Sequence, residues 1–231
     1  VAGAAAATVL SQGAMALFIL VYAHRRYPLL RLSLKEPLFR REDFSQGLRF
    51  GLPPALQFSV TAGGNIALQN FMNGFGSHTV AAITTAYRVD TIMLLPIINL
   101  GSAISTMVAQ SKGAGEPQRA RHFWRTGAVM NLVVSLLLMA VMLLFGGKLV
   151  ALFGVEAEAA AIGRRFFQRI SLFYVFFGLA CSMRGTIEGT GRVVYSSAVS
   201  IAALLLRIAL SYLLAGAFLN MAIAYAEGLH W

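Results

Sequence analysis

TGAVMNLVVSLLLMAVMLLFGG, the run from Thr126 to Gly147, decides how this chain is read. No charged side chain interrupts it. At 1.5 Å per residue, such a run makes a helix about as long as the ~30 Å hydrocarbon core of a bilayer. Strands of a membrane barrel would instead alternate apolar and polar positions over about ten residues. The same uninterrupted apolarity recurs along the chain, which is 58% hydrophobic and only 12% charged, with a mean hydropathy of +0.70. A soluble domain carries about twice that charge. The expected fold class is therefore all-α integral membrane, with six transmembrane helices over residues 1–23, 50–75, 79–109, 126–147, 164–183 and 193–219. Pro96 is expected to kink the third of these.

Charge is confined to the connections. The 24–49 segment holds seven Lys or Arg, with breaks at Pro28 and Pro37, and is read as a basic cytoplasmic linker. The 110–125 loop adds Lys112, Arg119, Arg121 and Arg125, and the 184–192 turn adds Arg184 and Arg192. If the helices alternate in direction, these thirteen cations of the chain's 19 fall on one face, which marks that face as cytoplasmic. The opposite face carries Lys148, Arg164, Arg165 and Arg169. The net charge of +10 thus reports topology, and no nucleic-acid partner is expected. One cysteine, Cys181, and four scattered histidines offer no disulfide framework and no metal-ligand spacing, and no cofactor is expected. Residue 1 already lies inside an apolar stretch, and the chain stops at Trp231 after a short loop-like Glu227-Gly228-Leu229-His230. Both features suggest a piece of a longer membrane protein.

Polar groups at bilayer depth are expensive, and function is sought there. Asp90 is the one carboxylate that falls inside an expected helix away from its ends, and it is read as a protonatable or cation-binding group, with a structural ion pair as the alternative. Arg88 stands two residues away, on nearly the opposite side of the helix, so a partner for Asp90 must come from another helix, from water or from a ligand. Asp90 shares its face with Tyr87 and Met93. Arg207, in a stripe with Ser200, Ala203 and Ser211, is a possible partner or a structural pair with some other group. Gln57, Thr61, Asn65, Gln69 and Asn73 recur every four residues along the second helix. In hydrocarbon such a ladder has no water to bond, so it should face a wet cavity or other helices. The glycine-rich turn at 185–191 lacks the preceding strand and the following Lys of a phosphate cradle.

Four stretches resemble the multidrug and toxic compound extrusion (MATE) family of antiporters. Val1-Ala2-Gly3-Ala4-Ala5-Ala6-Ala7-Thr8-Val9-Leu10-Ser11-Gln12 is similar to that family's sixth helix, and Gly51-Leu52-Pro53-Pro54-Ala55-Leu56-Gln57-Phe58 to the start of its seventh. Asn73-Gly74-Phe75-Gly76, Val80-Ala81-Ala82, Pro96 and Gln110-Ser111-Lys112-Gly113-Ala114-Gly115 form the third match. Met183-Arg184-Gly185 with Glu188-Gly189-Thr190-Gly191 forms the fourth. The resemblance implies a two-lobe, twelve-helix transporter of which this chain holds the sixth to eleventh helices. Residues 1–23 would be the last helix of the N-terminal lobe, 24–49 the linker between lobes and 50–231 an incomplete C-terminal lobe, so the missing N-terminal lobe of the same protein becomes a partner. One branch of the family places an acid near the position of Thr61 and another in the tenth helix. Neither acid is present here.

The function read from these features is secondary active export of drugs or organic cations in exchange for protons or sodium, by alternating access in a bacterial inner membrane. The partners are membrane lipid, a small-molecule substrate and the coupling ion. Asp90 takes the ion-coupling role, and Gln57, Thr61, Asn65, Gln69, Asn73, Tyr87, Arg88 and Arg207 line the substrate cavity. A lipid-linked oligosaccharide flippase of related fold, a membrane enzyme acting on lipid phosphates and a non-transporting structural subunit are the alternatives. No Ser/His/Asp or Cys/His arrangement points to an enzyme.

Overall fold

The computed structural model describes residues 2–28, 40–152 and 157–231, and no strand occurs among them. The middle of the basic linker, 29–39, lies outside the described residues. The helices are α1 (Ala2–Arg26), α2 (Arg41–Asn73), α3 (Ser77–Gly113), α4 (Pro117–Ala151), α5 (Ala157–Ile170), α6 (Tyr174–Gly189), α7 (Val193–Phe218) and α8 (Ala222–His230). Among the described residues, five segments are long and apolar enough to cross a membrane: α1, α3, α4, the α5–α6 stretch and α7. The expected six thus become five by composition. α2 has the length, but its polar ladder and its internal Pro53 and Pro54 dilute its apolarity.

Helices overrun the expected spans because apolarity marks only the part inside lipid. α3 is 37 residues long, or about 55 Å, well beyond a ~30 Å core. Residues 110–113 and 117–125, expected as loop, are therefore helical, as are 184–189. α3 continues through Pro96. The expected single helix at 164–183 is divided by a 3-10 turn at Ser171–Phe173. There the Ser171 hydroxyl donates to the Phe167 carbonyl at 2.5 Å, a back-bond that bends helices. The connections from α2 to α3, α3 to α4 and α6 to α7 are very short and carry glycines with positive φ: Gly76 at 87°, Gly115 at 73° and Gly191 at 84°. After α3 and α6 the chain ends each helix with a six-to-one bond, Glu116 N–H to Ser111 O at 2.9 Å and Arg192 N–H to Ile187 O at 3.2 Å.

The described residues form two compact units, Val1–Gln46 and Gly47–Trp231. In the first, α1 satisfies its own hydroxyls, Thr8 onto Ala4 O at 2.9 Å and Ser11 onto Thr8 O at 3.0 Å, and presents Leu10, Leu17 and Phe18 outward. His24, Arg25 and Arg26 close it, placing cations at the negative end of the helix dipole.

In the second unit α3, α4 and α6 pack against one another, α5 leans on α3 and α4, and α8 lies on α7 and α5. The core draws Ile83 and Ala86 from α3, Met142 from α4, Phe166 and Phe167 from α5, Tyr174 from α6 and Ile223 from α8. The α3–α6 crossing is a backbone contact. A Cβ on Gly185 would collide with the Gly101 carbonyl, and one on Gly101 would stand 3.0 Å from the Cys181 carbonyl. Small residues allow this approach, which in lipid replaces the hydrophobic drive that water would supply. Asn131 of α4 donates to Gly178 O at 3.2 Å and to the Ser182 hydroxyl at 3.0 Å, fastening α4 to α6. The outer surface is the reverse of a soluble protein's: Leu137, Leu144 and Leu213 are exposed, while Asn131, Ser135, Ser171 and Ser182 are buried.

Gly185→Val is expected to cost about 1–3 kcal/mol through overpacking of the α3–α6 crossing. Gly63→Ala, inside α2 where nothing lies within 4 Å of an added Cβ, should cost nothing and raise stability by up to about 1 kcal/mol. Thermal unfolding of the detergent-purified protein, followed by size-exclusion recovery, distinguishes the two.

Candidate functional site

Four helices bring the polar centre together. Arg207 of α7 forms an ion pair with Glu227 of α8, the two side chains being only 13% and 11% exposed. Tyr87 of α3 completes the cluster. Its hydroxyl accepts from Arg207 Nη2 at 3.1 Å and donates to Glu227 Oε2 at 3.3 Å, while its ring lies 5.7 Å under the guanidinium carbon. Arg207 Nε is buried without a partner, so the guanidinium is engaged along one edge only. An isolated charge here would be costly, and each member of the triad supplies what the others lack. Asp90, one turn further along α3 than Tyr87, is 4% exposed and accepts a short hydrogen bond from the Tyr174 hydroxyl of α6. Asp90 and Arg207 therefore take different partners.

Glu227 is what the sequence reading missed. The 227–230 segment, read as loop-like, is the last turn of α8, and Glu227 is buried there. Among the described residues, Asp90 is accordingly one of two buried carboxylates rather than the single one. The short α8 follows α7 after only a 3-10 turn at Leu219–Met221, and it gives no long apolar run by which a scan would recognise it. The surviving signal was Arg207 itself, a cation in a membrane helix that requires an acid.

A pocket of about 460 Å³ opens beside this centre, between α2, α6, α7 and the C-terminal residues. Gln57, Thr61, Ser196, Ser200 and Arg207 give it polar groups, and Phe177 and Trp231 give it aromatic walls. The α2 ladder thus divides. Gln57 is buried and Thr61 half-buried, both lining the pocket, whereas Asn65, Gln69 and Asn73 are exposed on the outer surface of this unit. There Gln69 bonds Asn73 along the helix at 3.2 Å. Arg88 is exposed and stands apart from the Asp90 and Arg207 clusters. Among the described residues no three His, Cys, Asp or Glu side chains come together as metal ligands.

The glycine-rich turn that follows α6 serves as a fastener. Glu188 accepts from Arg184 Nε at 2.8 Å and from the Ser196 hydroxyl at 2.8 Å, joining α6 to α7. Lys112 at the end of α3 donates to Thr190 O at 2.5 Å, tying α3 to the same turn.

An all-helical bundle with an apolar outside and its ionic groups buried marks an integral membrane protein. The MatE family model matches residues 53–213, more than half the chain, and the chain belongs to that family. It is 32% identical over 191 residues to the probable multidrug resistance protein YpnP of Bacillus subtilis (strain 168), covering 83% of this chain and 42% of that protein. It is 30% identical over 208 residues to the probable multidrug resistance protein YoeA of the same organism, covering 87% of this chain and 44% of that one. Among solved structures, a crystal structure of MATE in complex with MaL6 superposes with a TM-score of 0.88 at 20% identity, covering 99% of this chain and 52% of that chain. The chain thus spans less than half the length of the curated relatives named here.

Removing one partner of a buried ion pair strands the other. Arg207→Met is expected to destabilise the protein by about 3–5 kcal/mol, and Arg207→Met with Glu227→Met by clearly less. Denaturation midpoints of the two variants and the parent test this, and equal losses would count against a desolvated pair.

Proposed function

We propose that this chain forms part of a cation-coupled exporter of small organic molecules, drugs or organic cations among them, working by alternating access in a bacterial inner membrane. Family membership supports transport as the class, and the two B. subtilis relatives named for multidrug resistance support the substrate range. In this reading residues 1–23 are the last helix of an N-terminal lobe, 24–49 a cytoplasmic linker and 50–231 most of the C-terminal lobe. The first lobe is supplied by the rest of the same protein.

The observation that carries the coupling role is Asp90: a carboxylate sealed inside the bundle, held by one tyrosine hydroxyl and left unpaired by the nearby arginine. A buried carboxylate without a counter-cation is stable when it binds a proton or a cation and costly when bare. Loading and unloading Asp90 changes the charge among α3, α6 and, through Tyr87, α7 and α8. Those are the contacts that must rearrange if one lobe rocks against the other. Gln57 and Thr61 hydrogen-bond the solute or its waters in the pocket. Asn65, Gln69 and Asn73, exposed on this unit, continue that polar track toward the interface with the other lobe. Arg207, with Arg88 further off, tunes the field around Asp90.

Asp90→Asn keeps the shape and an acceptor for Tyr174 but cannot carry the charge change. In the full-length gene product, this variant should reach the membrane in normal amounts yet lose ion-driven dye efflux from intact cells by at least about tenfold. Unimpaired efflux at normal expression would remove Asp90 from the coupling step.

A further inference from the structure

A second pocket, of about 530 Å³, lies away from the ionic centre, at the end of the bundle where α2 and α7 enter their apolar stretches. Arg49 and Arg192 stand at its rim, and Phe50, Val194, Tyr195 and Ala198 form its walls. Each arginine is the last charged residue before a long uncharged run, 50–87 in one case and 193–206 in the other. Both are exposed, and neither makes an ion pair or a side-chain hydrogen bond among the described residues. The walls are exposed too, with Phe50 at 46%, Val194 at 60% and Tyr195 at 60%. Arginines at the headgroup level, a tyrosine beside them and apolar surface below match the sequence of groups along a phospholipid, from phosphate to ester to acyl chain.

We propose that this pocket binds an anionic phospholipid, with Arg49 and Arg192 holding the headgroup phosphate and Phe50 and Val194 lying along an acyl chain. Charge complementarity selects the anionic class, since two unpaired guanidinium groups face the site and no acid lines it. The apolar walls select a lipid over free phosphate. The bound lipid also fills a structural gap. α2 meets the rest of its unit mainly through its later half, with Gly64 against Leu204 and Phe71 edge-on to Tyr212 at 4.8 Å. Near its start, Phe50 approaches the turn at Gly191, 3.8 Å from where a Cβ there would sit. A lipid between Arg49 and Arg192 pins that early half of α2 to the start of α7. It acts as a stabilising ligand, and Tyr195 is the one wall it shares with the pocket beside Arg207.

The test uses the full-length transporter, delipidated in detergent, with phosphatidylglycerol, phosphatidylcholine and glycerol phosphate added separately. Phosphatidylglycerol is expected to raise the melting temperature by several degrees and to persist as an adduct in native mass spectrometry, while the other two do neither. Arg49→Gln and Arg192→Gln, singly, should each weaken the adduct, and together weaken it by more than about tenfold. The double lysine variant, Arg49→Lys with Arg192→Lys, should retain most of the binding because both charges remain, and the single glutamine variants carry the loss-of-binding test if the glutamine pair does not purify. Lys148→Gln, at the opposite end of α4, should change nothing. An equal response to phosphatidylcholine, an equal response to glycerol phosphate, or undiminished phosphatidylglycerol binding in the glutamine variants would each overturn the proposal.

Discussion

Hydrocarbon cannot solvate a polar group, and the architecture of this chain follows from that. Helices satisfy the backbone internally, so the long apolar segments have one form available to them. Side chains are less constrained, and here most of the deep polar residues have found a partner inside the bundle, the Ser135 hydroxyl being an exception. Arg207 lies on Glu227 and Tyr87, Asp90 on Tyr174, and Asn131 on Gly178 and Ser182. These contacts join α3, α4, α6, α7 and α8. Because lipid offers no hydrophobic drive for helix association, they and the glycine crossings decide which helices meet.

The fold was largely legible in the sequence because its determinants are local. Uncharged runs such as 126–147 identify spanning helices whatever their neighbours do, and charged connections mark their ends. Helix limits were the poorer reading, for a physical reason. A helix does not stop where lipid stops, so α3 carries on to Gly113 and α4 begins at Pro117, each through charged residues. The 3-10 turn after Ile170 was hidden as well, since the back-bond of Ser171 to Phe167 leaves no trace in hydropathy.

The site was legible in its parts and not in its pairing. Asp90, Tyr87 and Arg207 stand out as polar residues in apolar helices. Which of them meet depends on α8, nine residues too short to register as a membrane segment, and on the angle at which α7 passes α3. Glu227 was overlooked because its surroundings read as loop. The polar ladder on α2 divides between a pocket and an open surface, a distinction made by tertiary packing rather than by its four-residue period.

The outer faces of this bundle are expected to meet lipid and the pocket beside Arg207 to hold water. Nitroxide labels at Leu137, Leu144 and Leu213 and at Thr61 in the reconstituted full-length protein test this most directly, by their collision rates with oxygen and with a polar nickel chelate. The three leucine positions should favour oxygen and Thr61 the chelate. Chelate accessibility at the leucines, or an oxygen-dominated signal at Thr61, would contradict it.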